Sequence, residues 1–170
     1  MKGGKREDSS KQKDQPKEDE SDERKKDDLG SENKGLKITV IRVEIKGDDA
    51  GEHYDEGRRL YDLGKYEEAI TEYDKALAID PDYKEAHNDK GKALGQLRRY
   101  EDAVKEFNKA LDIDPDYKEA HNNKGYALYL LGRYEQAIKE FDTALAIDPK
   151  YKVARNNREL ALKALKRFRK

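Results

Sequence analysis

The sequence predicts an all-α solenoid: three stacked helix–turn–helix units closed by a final helix. Two observations predict it. First, a gapless period of 34 residues relates Lys84–Tyr117 to Lys118–Tyr151, which agree at 23 of 34 positions. A third, more diverged copy runs from Ala50 to Tyr83, and Pro81, Pro115 and Pro149 mark the same phase. So do Gly57/Gly91/Gly125, Tyr66/Tyr100/Tyr134, Ala69/Ala103/Ala137 and Ala76/Ala110/Ala144. Second, apolar residues recur at helical spacing in two stretches of each copy. Units of this length cannot bury a core alone and must stack on one another.

The chain opens on residues 1–35, which hold ten basic and eleven acidic residues and almost nothing apolar. Such a segment buries too little to offset the entropy of ordering, and it reads as a disordered tail. Its balanced signs argue against a nucleic-acid-binding arm. Residues 36–46, LKITVIRVEIK, are mostly β-branched and favour a short strand. A lone strand is not stable in water, so it needs a partner in the repeats or in another copy. The segment 36–49 ends in a linker, and the repeats follow as 50–83, 84–117 and 118–151.

Spacing places helices over 52–63 and 66–79, 84–97 and 100–113, 118–131 and 134–147. In the third copy Ala120, Lys124, Ala127, Leu128 and Leu131 make the first stripe. Gly132-Arg133 breaks it, and Tyr134, Ala137, Ile138, Phe141, Ala144, Leu145 and Ile147 make the second. An Asp-Pro pair ends each copy, because the residue before proline is pushed out of the helical region. Asp82 with Glu85 and Asp116 with Glu119 have capping-box spacing, a pattern that Lys150 interrupts. Gly91, Ala103 and Ala110, with their counterparts, allow close helix approach beside larger residues. The last segment, 152–170, predicts a capping helix to 168 with Ala154, Ala161, Leu162, Leu165 and Phe168 facing inward. Lys163, Lys166, Arg167, Arg169 and Lys170 make its end basic.

The 170 residues are 44% charged and 34% hydrophobic, too polar for one large core but suited to a solenoid. Net charge is −1, yet residues 152–170 carry +7 and the repeats carry sixteen basic against twenty-three acidic residues, or −7. There is no cysteine, hence no disulfide or thiol chemistry. No run approaches a membrane span, and the first residues lead into no apolar leader, so the expectation is a cytoplasmic protein. No catalytic constellation, cofactor motif or metal-ligand spacing is present. His53, His87 and His121 recur once per copy, but stacked helices lie about 8–10 Å apart, so equivalent histidines do not converge on one ion and read as packing residues.

The pattern Gly125-x-x-Leu128-x-x-Leu131-Gly132-x-Tyr134-x-x-Ala137-x-x-x-Phe141-x-x-Ala144-x-x-x-x-Pro149 resembles the tetratricopeptide repeat. The resemblance covers 50–151 and implies a right-handed α-solenoid whose first helices line a concave groove that binds peptides. Carried onto this chain, the groove residues are Tyr54, Arg58 and Tyr61, then Asn88 and Lys92, then Asn122, Asn123, Tyr126 and Tyr129, and Asn156 and Asn157 on the cap. Members of the family that bind chaperones clamp a C-terminal carboxylate with Lys, Asn and Arg. The matching positions here are Tyr54, Arg58, Asp89, Glu119 and Asn123, which keep one positive charge and argue against a chaperone partner of that type.

Asn88, Asn122 and Asn156 repeat at the 34-residue step, as do Asn123 and Asn157. An amide both donates and accepts, so such a column could bond the backbone of an extended peptide. The tyrosines would supply pockets with a polar tip. The expected function is therefore a non-enzymatic protein-interaction module that holds an extended segment of a protein partner, with no nucleic acid or membrane involved. A second reading is a structural adaptor that self-associates through 36–46 or through the basic final helix.

Overall fold

The computed structural model describes residues 49–168, which form seven helices and no strand. The tail 1–35, the strand expected at 36–46 and the terminal Arg169 and Lys170 lie outside the described residues. The helices are α1 (Ala50–Asp62), α2 (Tyr66–Ile79), α3 (Lys84–Gln96), α4 (Tyr100–Ile113), α5 (Lys118–Leu130), α6 (Tyr134–Ile147) and α7 (Lys152–Phe168). Each odd helix packs on the even helix after it, each even helix packs on the next odd one, and neighbouring odd helices touch. The described chain is an all-α solenoid.

The sequence explains where the helices stop. Asp80, Asp114 and Asp148, each before a proline, are extended at φ −127°, −133° and −132°. Here the structure corrects the capping expectation. Tyr83 and Tyr117 occupy the N-caps of α3 and α5 without a side-chain bond, and Asp82 and Asp116 cap nothing. The pre-proline aspartates hold the turn instead. Their carboxylates accept the amides of Asp82, Asp116 and Lys150 at 3.1, 3.0 and 2.9 Å. This Asx turn needs only a backbone N–H two residues on, so Lys150 leaves the third turn intact.

Three core clusters recur at the same step. Leu60, Ala69 and Tyr73 pack with Ala93; Leu94, Ala103 and Phe107 with Ala127; Leu128, Ala137 and Phe141 with Ala161. In each case the last alanine belongs to the next unit, so no unit closes its own core. α7 supplies Ala161 and closes the third. Glycine at 57, 91 and 125 admits the aromatic ring from the second helix of the unit. A Cβ on Gly91 would lie 2.6 Å from the Phe107 ring, and one on Gly125 would lie 2.7 Å from Phe141. The same phase on α7 holds the exposed Glu159. Phe168 departs from the inward stripe expected for α7: it is 77% exposed, with its ring stacked 5.5 Å from Tyr134.

The histidines pack, and each does so against a glutamate of its unit's second helix. His53, His87 and His121 place Nδ1 2.7 Å from Glu72, Glu106 and Glu140. His121 also directs Nε2 at the Pro115 carbonyl, 3.0 Å away. Both partners only accept, so the imidazolium is the form that satisfies the site. The Glu140 bond, opposed by burial and helped by the Pro115 carbonyl, raises the His121 pKa above 6.5. Lys124 is the other charged group at this site, 2.8 Å from Glu140. A raised pKa contributes stability that is complete below about pH 6.5 and is lost as pH rises through the folded value. Melting temperature measured from pH 5.5 to 8.5 should therefore fall more steeply for the native chain than for His121→Gln. Parallel curves would show that the pair contributes no linkage.

The turn inside each unit needs a left-handed residue. Gly64 and Gly132 supply it at φ 77° and 74°. The middle unit places Arg98 there at φ 60°. That conformation costs a residue with a side chain on the order of 1 kcal/mol.

Candidate binding groove

The odd helices present one face of the solenoid, and on it lie two adjoining cavities. The central one, about 540 Å³, lies between α3 and α5 and is lined by Tyr61, Lys92, Arg98, Asn123, Tyr126 and Leu130 among others. The second, about 320 Å³, lies toward α1 and includes Tyr54, Arg58, Asp62 and Asp89. Tyr61 and Lys92 belong to both and form the seam.

Asp89 organises the seam. It is a buried carboxylate that accepts from the Tyr54 hydroxyl at 3.0 Å, the Lys92 ammonium at 3.0 Å and the Asn88 amide at 3.2 Å. Burial first, and then the Asp89 charge, pushes the Tyr54 phenol far above its ordinary pKa, so Tyr54 acts only as a neutral donor. Lys92 Nζ also sits 5.0 Å from the centre of the Tyr61 ring, and Gln96 donates to the Tyr61 hydroxyl at 3.3 Å. Arg58 is exposed and lies over Tyr54, its Cζ 5.8 Å from the ring centre.

The asparagines take a different place from the one their spacing suggests. Asn88 and Asn122 are only 4% and 5% exposed. Asn123 donates to Asn88 Oδ1 and Asn157 donates to Asn122 Oδ1, each at 3.0 Å. Asn88 and Asn122 in turn donate to Asp89 and Asn123. The column thus runs from helix to helix as a chain of side-chain hydrogen bonds between units. Asn156 is exposed.

Of the residues expected at the site, Tyr54, Arg58, Tyr61, Lys92, Asn123 and Tyr126 line the two cavities. Asn88, Asn122, Tyr129, Asn156 and Asn157 line neither. Tyr129 is half-buried against the third core cluster and stacks 6.1 Å from Tyr126, which is 44% exposed. Arg98 also lines the central cavity, at the position where the aligned copies hold Gly64 and Gly132. No group of side chains suited to a metal ion occurs among the described residues. No described helix is long and apolar enough to cross a membrane.

Comparison with known proteins places this geometry. A profile described as TPR repeat matches residues 57–98, and one described as tetratricopeptide repeat matches 88–152. The chain belongs to the tetratricopeptide repeat family. No curated protein matches the chain. Among solved structures it is similar to the first TPR domain of Spaghetti (RPAP3), determined bound to the HSP90 peptide SRMEEVD. That match has 26% identity and a TM-score of 0.67, and it covers 69% of this chain and 93% of that one. The first TPR domain of human RPAP3 is 27% identical, with a TM-score of 0.67 and coverage of 68% and 91%. The second TPR domain of human RPAP3, in complex with the HSP70 peptide SGPTIEEVD, is 28% identical, with a TM-score of 0.64 and coverage of 66% and 93%. As a tetratricopeptide repeat protein, the chain is a protein-interaction scaffold.

Proposed function

We propose that this tetratricopeptide repeat protein is a non-enzymatic module that holds an extended segment of a protein partner along the odd-helix face. The observation that carries the reading is the pair of adjoining cavities joined at Tyr61 and Lys92, lined by tyrosines with polar neighbours. Such a surface offers broad rings at low entropic cost and a few fixed donors for orientation. Tyr126 is the exposed ring of the central cavity and serves as the anchor.

Relatives with this fold were solved with peptides ending in EEVD. The clamp positions of this chain hold Tyr54, Arg58, Asp89, Glu119 and Asn123, which keep one positive charge and add two carboxylates. We therefore assign it a ligand other than a C-terminal carboxylate.

The test is selection of a random nine-residue phage-displayed library on the full chain, followed by affinity measurement on the recovered peptides. Tyr126→Ala should weaken them about tenfold, the loss of a buried aromatic anchor. SRMEEVD and its C-terminal amide should bind alike. Recovery of no peptide would remove the groove reading, and a strong preference for the free acid would restore the clamp.

A further inference from the structure

The central cavity has a charge pattern that the groove reading leaves unused. Its lining includes two cations, Lys92 and Arg98, and no carboxylate, inside repeats whose net charge is −7. Asp89, behind the seam, already shares its charge among Tyr54, Asn88 and Lys92. An ammonium has three N–H donors, so Lys92 keeps others after bonding Asp89. The Arg98 guanidinium is exposed and makes no hydrogen bond or ion pair among the described residues. It also stands at φ 60°, where the flanking units use glycine. One turn of three thus keeps backbone strain, and that turn puts a guanidinium on the lining of the central cavity. Strain retained in this way gathers where a ligand is held.

We propose that Lys92 and Arg98 together receive an acidic side chain of the bound peptide, next to an apolar or aromatic residue seated among Tyr61, Tyr126 and Leu130. This rests on the peptide-groove reading above. The guanidinium pairs a carboxylate through two parallel hydrogen bonds, and the ammonium adds a point charge held in place by Asp89 and Tyr61. Arg98 lies in the turn between α3 and α4, away from the positions of the family's terminal-carboxylate clamp. Lys92 keeps the phase of Arg58, so it is Arg98 that directs the contact to an internal Asp or Glu.

The test uses immobilised nine-residue peptides with a central Phe, Leu or Tyr, flanked by Asp or Glu in one set and by Asn or Gln in the other. They are probed with the full chain and with Arg98→Gly, the residue native to the other two turns. The acidic set should bind about tenfold tighter, with the gap shrinking in high salt. Arg98→Gly should close most of that gap and leave the amide set unchanged. It should also raise Tm by about 2 °C, since glycine relieves the left-handed turn at some cost in unfolded-state entropy. A gain in stability with a loss of acid preference cannot come from a merely structural arginine. Equal binding of the two sets, an unaltered gap in the variant, or a fall in its Tm would overturn the proposal and leave the groove intact. Absence of binding to every peptide would overturn both.

Discussion

Gly125→Ala is expected to destabilise the array by about 2 kcal/mol. The added methyl would sit 2.7, 2.9 and 3.0 Å from three atoms of the Phe141 ring, closer than carbon atoms pack. Phe141 is fully buried between Ala137, Leu128 and Ala161, so the ring cannot swing aside. Overpacking of this kind costs roughly 1–3 kcal/mol. The better helix propensity of alanine returns about 0.5–1 kcal/mol, so the steric term must lie near its upper end. Urea unfolding measures the effect, and the double variant Gly125→Ala/Phe141→Leu separates its causes. If the clash is the cause, the alanine costs less in the leucine background than alone. An equal cost in both backgrounds would place the effect elsewhere.

Glu106→Ala should cost about 3 kcal/mol, more than the same change at Glu72. Glu106 is buried and receives Nδ1 of His87 at 2.7 Å, Lys109 at 3.0 Å and Lys90 at 3.2 Å. Removing one member of a buried charged group strands the others, a loss in the range of about 3–5 kcal/mol, reduced here because Lys90 retains Asp74 at 2.7 Å. Glu72, with fewer and more exposed partners, should lose less. Burial alone would raise the Glu106 pKa, but hydrogen bonds from His87 and Lys109 and the Lys90 charge hold it at about 2. A lowered carboxylate pKa contributes stability that is present above about pH 4.5 and is lost as pH falls toward 2. The acid limb of the unfolding profile should therefore be shallower in Glu106→Gln than in the native chain. A parallel acid limb would assign the limb to other carboxylates.

Much of the fold was legible because the 34-residue step is written into small residues. Gly57, Gly91 and Gly125 and the alanine columns admit one arrangement of helix against helix, and the helix bounds follow within two residues. The turn chemistry was less legible. Asp80 and Asp82 are both correctly spaced carboxylates, and only the backbone path decides which one meets an amide. The site was legible in part for a similar reason. Asn122 and Asn123 are adjacent on one helix, yet Asn122 is buried between units and Asn123 faces the central cavity, a distinction that depends on the angle between successive units. Spacing alone gives no such angle. The His–Glu pairs could have been found, since Glu72, Glu106 and Glu140 keep step with the histidines at a separation of 19 residues.

Where α3, α5 and α7 bury Ala86, Ala120 and Ala154, α1 has Glu52, and where they carry Ala93, Ala127 and Ala161, α1 has Arg59. At the other end Glu159 stands in the glycine phase. These three charged residues act as punctuation at the two faces. A copy stacked before α1 or a hairpin completed on α7 would bury a charge at a position that the other units fill with a methyl group or a bare backbone.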